Sequence, residues 1–182
     1  FAGHAMPVSY PLGVMKEHLH TRSQAGLFDV SHMGQVRLHG DGAAAALERL
    51  TTGNIVGLRP GRQRYTLFTN DQGGILDDFM VCNAGDHLFL VVNAACKPQD
   101  IAHMQARIGS EVTVEPCDER ALLALQGPAA AEVLAALSPA SREMVFMDAR
   151  ALTLEGIDCF VTRSGYTGED GFELSVPAAQ AE

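Results

Sequence analysis

Ile75-Leu76-Asp77-Asp78-Phe79-Met80-Val81 sets two adjacent aspartates inside an otherwise apolar strand. Successive side chains of a strand point to opposite faces. Asp77 therefore shares a face with Ile75, Phe79 and Val81, and Asp78 shares the other with Leu76 and Met80. Whichever face is buried takes a carboxylate with it. An unpaired carboxylate is costly to bury, so it needs donors or a raised pKa, and it can then orient a ligand or receive its proton. A hairpin edge fits the pattern equally, with one aspartate in solvent and the other held by backbone N–H groups.

The flanking sequence continues as antiparallel structure. Asn70-Asp71-Gln72-Gly73-Gly74 is a turn joining this strand to one over 64–69, which predicts a hairpin, and Asn83-Ala84-Gly85-Asp86 turns into a strand over 87–93. Residues 34–39 alternate as a half-buried strand does, and further strands are predicted over 111–114, 121–126, 149–154, 157–163 and 172–176. Helices are predicted over 14–22, over 43–50 with Asp41 as cap, over 97–108 with Ile101, Met104 and Ile108 on one stripe, and over 128–137. Strands interrupted by single helices predict an α+β fold of mostly antiparallel sheets. No linker marks a domain boundary. Residues 177–182 read as the first turn of a helix, and a lone turn is unstable, so the sequence reads as part of a longer protein.

Composition narrows the function classes. Apolar residues are 47% of 182, enough for a core and too many for disorder. Lys and Arg number 13 against 22 Asp and Glu, a net charge of -9, which argues against nucleic-acid and anionic-membrane surfaces. Charged residues reach only 19%, below the roughly 25% usual for soluble domains, so part of the low-charge surface reads as surface to be covered. Cys82, Cys96, Cys117 and Cys159 form no C-x-x-C pair and read as core thiols in a reducing compartment. His18 and His20, two apart, do not share a helix face, and no metal site is expected. His32 has no nucleophile elbow beside it.

A second candidate is Gly165-Tyr166-Thr167-Gly168-Glu169-Asp170-Gly171, followed by Phe172-Glu173-Leu174. It lacks both the strand-to-helix context and the Gly-Lys-Ser/Thr of a phosphate loop. A hairpin turn explains its glycines, but not Glu173 inside an apolar strand. A flat ligand with ring N–H and amino donors suits two recessed carboxylates and the aromatic ring of Tyr166. From the residues alone, the chemistry is a carboxylate-lined ligand pocket.

Five segments occur in an order and spacing that resemble the aminomethyltransferase family, the T-proteins of the glycine cleavage system. They are Leu27-Phe28-Asp29-Val30-Ser31-His32-Met33-Gly34, Gly73-Gly74-Ile75-Leu76-Asp77-Asp78, Asn93-Ala94, Leu123-Ala124-Leu125-Gln126-Gly127-Pro128, and Gly165 through Glu173. The resemblance covers the whole chain and about the N-terminal half of the family's length. It implies transfer of an aminomethyl group from the dihydrolipoyl arm of lipoylated H-protein to tetrahydrofolate as co-substrate, giving 5,10-methylenetetrahydrofolate and ammonia. It makes Asp78 the catalytic residue and Glu173 the holder of the pterin edge, with Met33, Asn93 and Tyr166 at folate-pocket positions. It implies no metal, and a bacterial-cytoplasmic or mitochondrial-matrix setting, the bacterial one preferred.

Residues 1–182 are then a folate-binding region holding parts of two interleaved domains, with the C-terminal domain and its pocket arginine absent. Such a fragment is expected to be inactive alone. Phe89 stands where some relatives have Tyr, so that hydroxyl is missing. Two related readings compete. The folate module of flavin-dependent sarcosine or dimethylglycine dehydrogenases usually varies at Ser31-His32-Met33. The folate-binding proteins of iron–sulfur cluster maintenance carry a cysteine motif where this chain has Gly165 to Glu169.

Overall fold

Every strand pairing is antiparallel, and the pairings build two five-stranded sheets. The computed structural model describes Phe1–Glu182. Its first half runs α1 (Val14–Ser23), β1 (Gly26–Asp29), β2 (Gly34–His39), α2 (Ala43–Glu48), β3 (Gln63–Thr69), β4 (Ile75–Asn83) and β5 (Leu88–Val92). Then come α3 (Lys97–Ile108), β6 (Thr113–Pro116), β7 (Arg120–Gln126), α4 (Ala130–Leu137), β8 (Ala149–Leu154), β9 (Ile157–Arg163) and β10 (Gly171–Pro177). One-turn 3-10 helices occupy Pro139–Glu143 and Ala178–Gln180. The α+β expectation holds.

The chain divides into two units. One is Met33–Asp118; the other combines Phe1–His32 with Glu119–Glu182.

In the Met33–Asp118 unit the sheet order is β3-β4-β5-β2-β6. β4 thus lies between β3 and β5, yet its pairing with β5 begins only at Phe79, so Asp77 and Asp78 are laddered to β3 alone, as the hairpin-edge reading has them. The core gathers Val36, Leu38, Leu47, Phe68, Phe79, Val81, Leu90 and Val92 with Met104 and Ile108 of α3. Phe68 and Phe79 stack with ring centroids 4.0 Å apart. Asp77 follows Phe79 and Val81 inward, but Ile75 does not. The β3–β4 register shifts between Phe68 and Thr69, and Ile75 is exposed.

Three local expectations are corrected here. Asp41 does not cap α2: Gly42 is the N-cap, no side chain bonds there, and the Ala43 N–H donates to Gly40 O instead. α2 stops at Glu48, and Thr51 bridges to Phe68. On α3 the buried stripe is Asp100, Met104 and Ile108, with Ile101 only half-buried.

In the other unit the order is β1-β7-β10-β9-β8, and Leu125, Phe172, Leu174 and Val161 pack with Leu134 of α4 and Met144. β1 was not expected: its four mostly exposed residues are too few to show alternation. Gly127, after β7, sits at φ +126°, and a Cβ there would strike the backbone of Thr21 and Gln24, so the turn accepts only glycine.

Phe68 is fully buried and is the register partner of Asp77. Phe68→Ala is expected to cost about 3–5 kcal/mol, from lost burial plus the cavity left behind, as measured by chemical denaturation.

Candidate functional site

Asn93 organises the aspartate pair. The ladder that pairs Phe79 with Val92 sets Asn93, just beyond β5, opposite Asp78. Its Nδ2 donates to Asp77 Oδ1 at 3.1 Å, to the Asp78 carbonyl at 2.9 Å and to Asp78 Oδ1 at 3.2 Å. One amide carries two hydrogens, so three acceptors share them. Asp77 is 9% exposed and takes the core face, whereas Asp78 lies half-buried on the opposite face with Leu76 and Met80. The donor expected from backbone N–H groups is therefore a side-chain amide. The clamp fixes the Asp78 carboxyl on a face that is still partly open to solvent.

Behind Asp77 lies a third acid that sequence reasoning missed. Asp100 of α3 is 1% exposed, with its carboxyl within hydrogen-bonding reach of that of Asp77. Burial first, then the contact with Asp77 and the negative charges of Asp77 and Asp78, push its pKa up to about 8. The Cys96 thiol, at the N-cap of α3, is also pushed up by burial and by Asp77. The available signal was spacing: Asp100 stands four residues before Met104 and eight before Ile108, on the stripe that enters the core.

Glu173 is the acceptor of the other unit. Phe172, Leu174 and Val176 of β10 face the core, so Glu173 points to the opposite face, where the register sets it between Ala124 of β7 and Thr162 of β9. Its Oε2 is buried and has no hydrogen-bond partner. Burial pushes the carboxyl up, against the lowering effect of Thr162. A buried acceptor lacking its donor is what a ligand N–H would satisfy.

The Gly-rich segment is the β9–β10 hairpin connection, so its glycines serve a turn. Gln126, fully buried at the end of β7, accepts from the Tyr166 backbone N–H at 2.8 Å and donates to Phe172 O at 3.3 Å. Arg163 pairs with Asp170, and Arg22 of α1 reaches both Glu169 and the Thr167 carbonyl. These ties hold the entry to β10 and hence Glu173. The Tyr166 side chain itself is 81% exposed. Met33 is half-buried in the turn that enters β2, and Phe89 is buried on β5. No group of three or more His, Cys, Asp and Glu side chains is arranged to hold a metal ion.

Each of the two antiparallel sheets carries a carboxyl side chain on the face of an internal strand away from its own core. The family model of the GCVT N-terminal domain matches residues 1–182, and the chain belongs to this family of glycine-cleavage T-proteins. It is 47% identical over 191 aligned residues to the mitochondrial aminomethyltransferase of Dictyostelium discoideum, covering all of this chain and 47% of that protein. It is 46% identical over 190 residues to the human mitochondrial aminomethyltransferase, again covering all of this chain and 47% of that one. The crystal structure of glycine cleavage system aminomethyltransferase T from Bartonella henselae superposes with a TM-score of 0.91 at 44% identity, over 100% of this chain and 50% of that chain. The chain thus spans about half the length of the relatives it matches.

Asn93→Ala strands three acceptors at once. It is expected to lower stability by about 1–3 kcal/mol, read by urea denaturation, because the buried Asp77 oxygen loses its donor.

Proposed function

We propose that the protein carrying this chain is a tetrahydrofolate-dependent aminomethyltransferase. It moves the aminomethyl group from the dihydrolipoyl arm of lipoylated H-protein to tetrahydrofolate, releasing ammonia and forming 5,10-methylenetetrahydrofolate. The observation that carries the reading is the Asn93 clamp, which holds Asp78 half-buried on the face of β4 that is partly open to solvent. Tetrahydrofolate supplies the nitrogen nucleophile and a pterin edge rich in N–H donors. The residues fit it: Glu173 has a buried oxygen awaiting a donor, and Asp78 is an acceptor of fixed orientation.

Asp78 orients the folate N5/N10 region and takes or gives the proton there, while Asn93 keeps its carboxylate from turning away. Glu173 accepts from the pterin edge. Met33 and Tyr166 stand at folate-pocket positions of the family; Tyr166 offers its exposed ring for stacking. We read the two units as portions of the family's interleaved folate-binding domains. The C-terminal half completes the cavity and receives the H-protein arm. The compartment is the bacterial cytoplasm or, as the named eukaryotic relatives suggest, the mitochondrial matrix; no helix here is long and apolar enough to cross a membrane. These relatives are named aminomethyltransferases, which supports this reading over the amine dehydrogenase module and the iron–sulfur maintenance protein.

In the full-length protein, Asp78→Ala is expected to lower aminomethyl transfer by about 10²–10⁴-fold, the usual worth of a general acid–base group, with a smaller loss of folate affinity. Steady-state kinetics beside folate calorimetry checks this, and unchanged transfer overturns the role. Glu173→Gln removes a carboxyl whose ionised form burial disfavours, so the free protein should be at least as stable at neutral pH. The raised carboxyl pKa makes the native protein lose stability as pH rises through it, and the variant loses that dependence. Folate affinity should fall about tenfold or more, since the amide turns one acceptor into a donor. Thermal melts and calorimetry separate the two effects.

A further inference from the structure

The Asp77–Asp100 contact has more acceptors than donors. Asp77 Oδ1 is taken by Asn93, while Asp77 Oδ2 and Asp100 Oδ2 are both buried and without a donor. At 9% and 1% exposed, neither side chain can turn to water. Two carboxyl groups within hydrogen-bonding reach attract only if one of them keeps its proton. The groups facing Asp100 are Asp77 and Asp78 from β4 and the Cys96 thiol at the head of its own helix. No cation relieves it: along α3, His103 sits edge-on to Phe68, and Arg107 pairs with Asp71.

We propose that Asp100 is a positioning residue for the reaction: a buried carboxylic acid that stays protonated at neutral pH and donates to Asp77, so that the shared Asn93 amide holds Asp78 in its working orientation. With the proton in place, Asp77 is bonded on both oxygens, to Asn93 on one side and to Asp100 on the other. Without it, Asp77 faces two anions, Asp78 and Asp100. It then competes with Asp78 for the one amide. The role at Asp78 rests on the aminomethyltransferase reading; the protonated pair does not.

The sign of the pH effect follows from proton counts. Below the ordinary carboxylate pKa of about 4, folded and unfolded chains both hold this proton. Between about 4 and about 8 the folded chain holds it and the unfolded chain does not, so the contribution of Asp100 to the folding equilibrium falls about tenfold per pH unit. Above that range the contribution is gone. Asp100→Asn keeps shape, neutrality and a donor to Asp77, and abolishes that slope.

Side-chain carboxyl NMR on the full-length protein, with aspartate-selective labelling, tests the inference. One aspartate carboxyl should be protonated at neutral pH and titrate near pH 8. The signal should vanish in Asp100→Asn and persist in Asp78→Asn. Turnover lost in Asp100→Ala should recover at least tenfold in Asp100→Asn, with the alkaline fall in kcat removed. Every aspartate carboxyl ionised at neutral pH, or an Asn variant no better than the Ala variant, overturns the inference. The unmodified protein suffices for the first readout even if Asp100→Ala does not fold. A protonated Asp100 alongside a fully active Asp78→Ala protein refutes the Asp78 role and leaves the acid pair standing.

Discussion

The Asn93 side-chain amide is the donor on which the arrangement of this site depends. It is the group that the two aspartates of β4 have in common, and it also bonds the Asp78 carbonyl. Its position requires the β4–β5 ladder to hold register through Phe79 and Val92, which a flush core of Phe68, Phe79, Leu90 and Val92 enforces. The Asn93 carbonyl in turn accepts from the Cys96 N–H at 3.1 Å, and the Cys96 carbonyl accepts from the Asp100 N–H at 2.8 Å. The short segment from Asn93 to Asp100 thus links the clamp, the thiol and the buried acid at the start of α3.

Glu173 follows the same design with different fixtures. It too sits on an internal strand, on the face away from the core. It differs in having no clamp: its Oε2 is buried with no hydrogen-bond partner. The hairpin before it is fastened by Gln126, Arg163 and Arg22. Fixing the backbone costs conformational entropy when the chain folds and spares it when a ligand binds.

Much of this was legible in residue order. The β3–β4 hairpin, the strands from Ala149 to Arg163 and the helix at Lys97–Ile108 all follow from alternation, helical spacing and turn residues. The conflict of carboxylates in apolar strands marked Asp77, Asp78 and Glu173 before any geometry was known. What alternation could not convey was local irregularity. A register shift sends Ile75 outward, and a four-residue strand at Gly26–Asp29 carries no pattern. Asp100 was hidden for another reason: an acid in a helix's first turn ordinarily faces solvent and complements the dipole, and the apolar spacing of Ile101, Met104 and Ile108 does not mark it. Asn93 was named from the resemblance, but its role as the common donor is visible only once β4 and β5 are paired.

The central claim is that the clamped Asp78 carboxyl meets the reacting edge of folate. A crystal structure of the full-length protein with tetrahydrofolate bound tests it most directly. The account predicts the N5/N10 region within hydrogen-bonding distance of Asp78, with the Asn93 contacts to Asp77 and Asp78 intact. Folate bound with that region turned away from Asp78, or an Asn93 amide released from the pair, would contradict it.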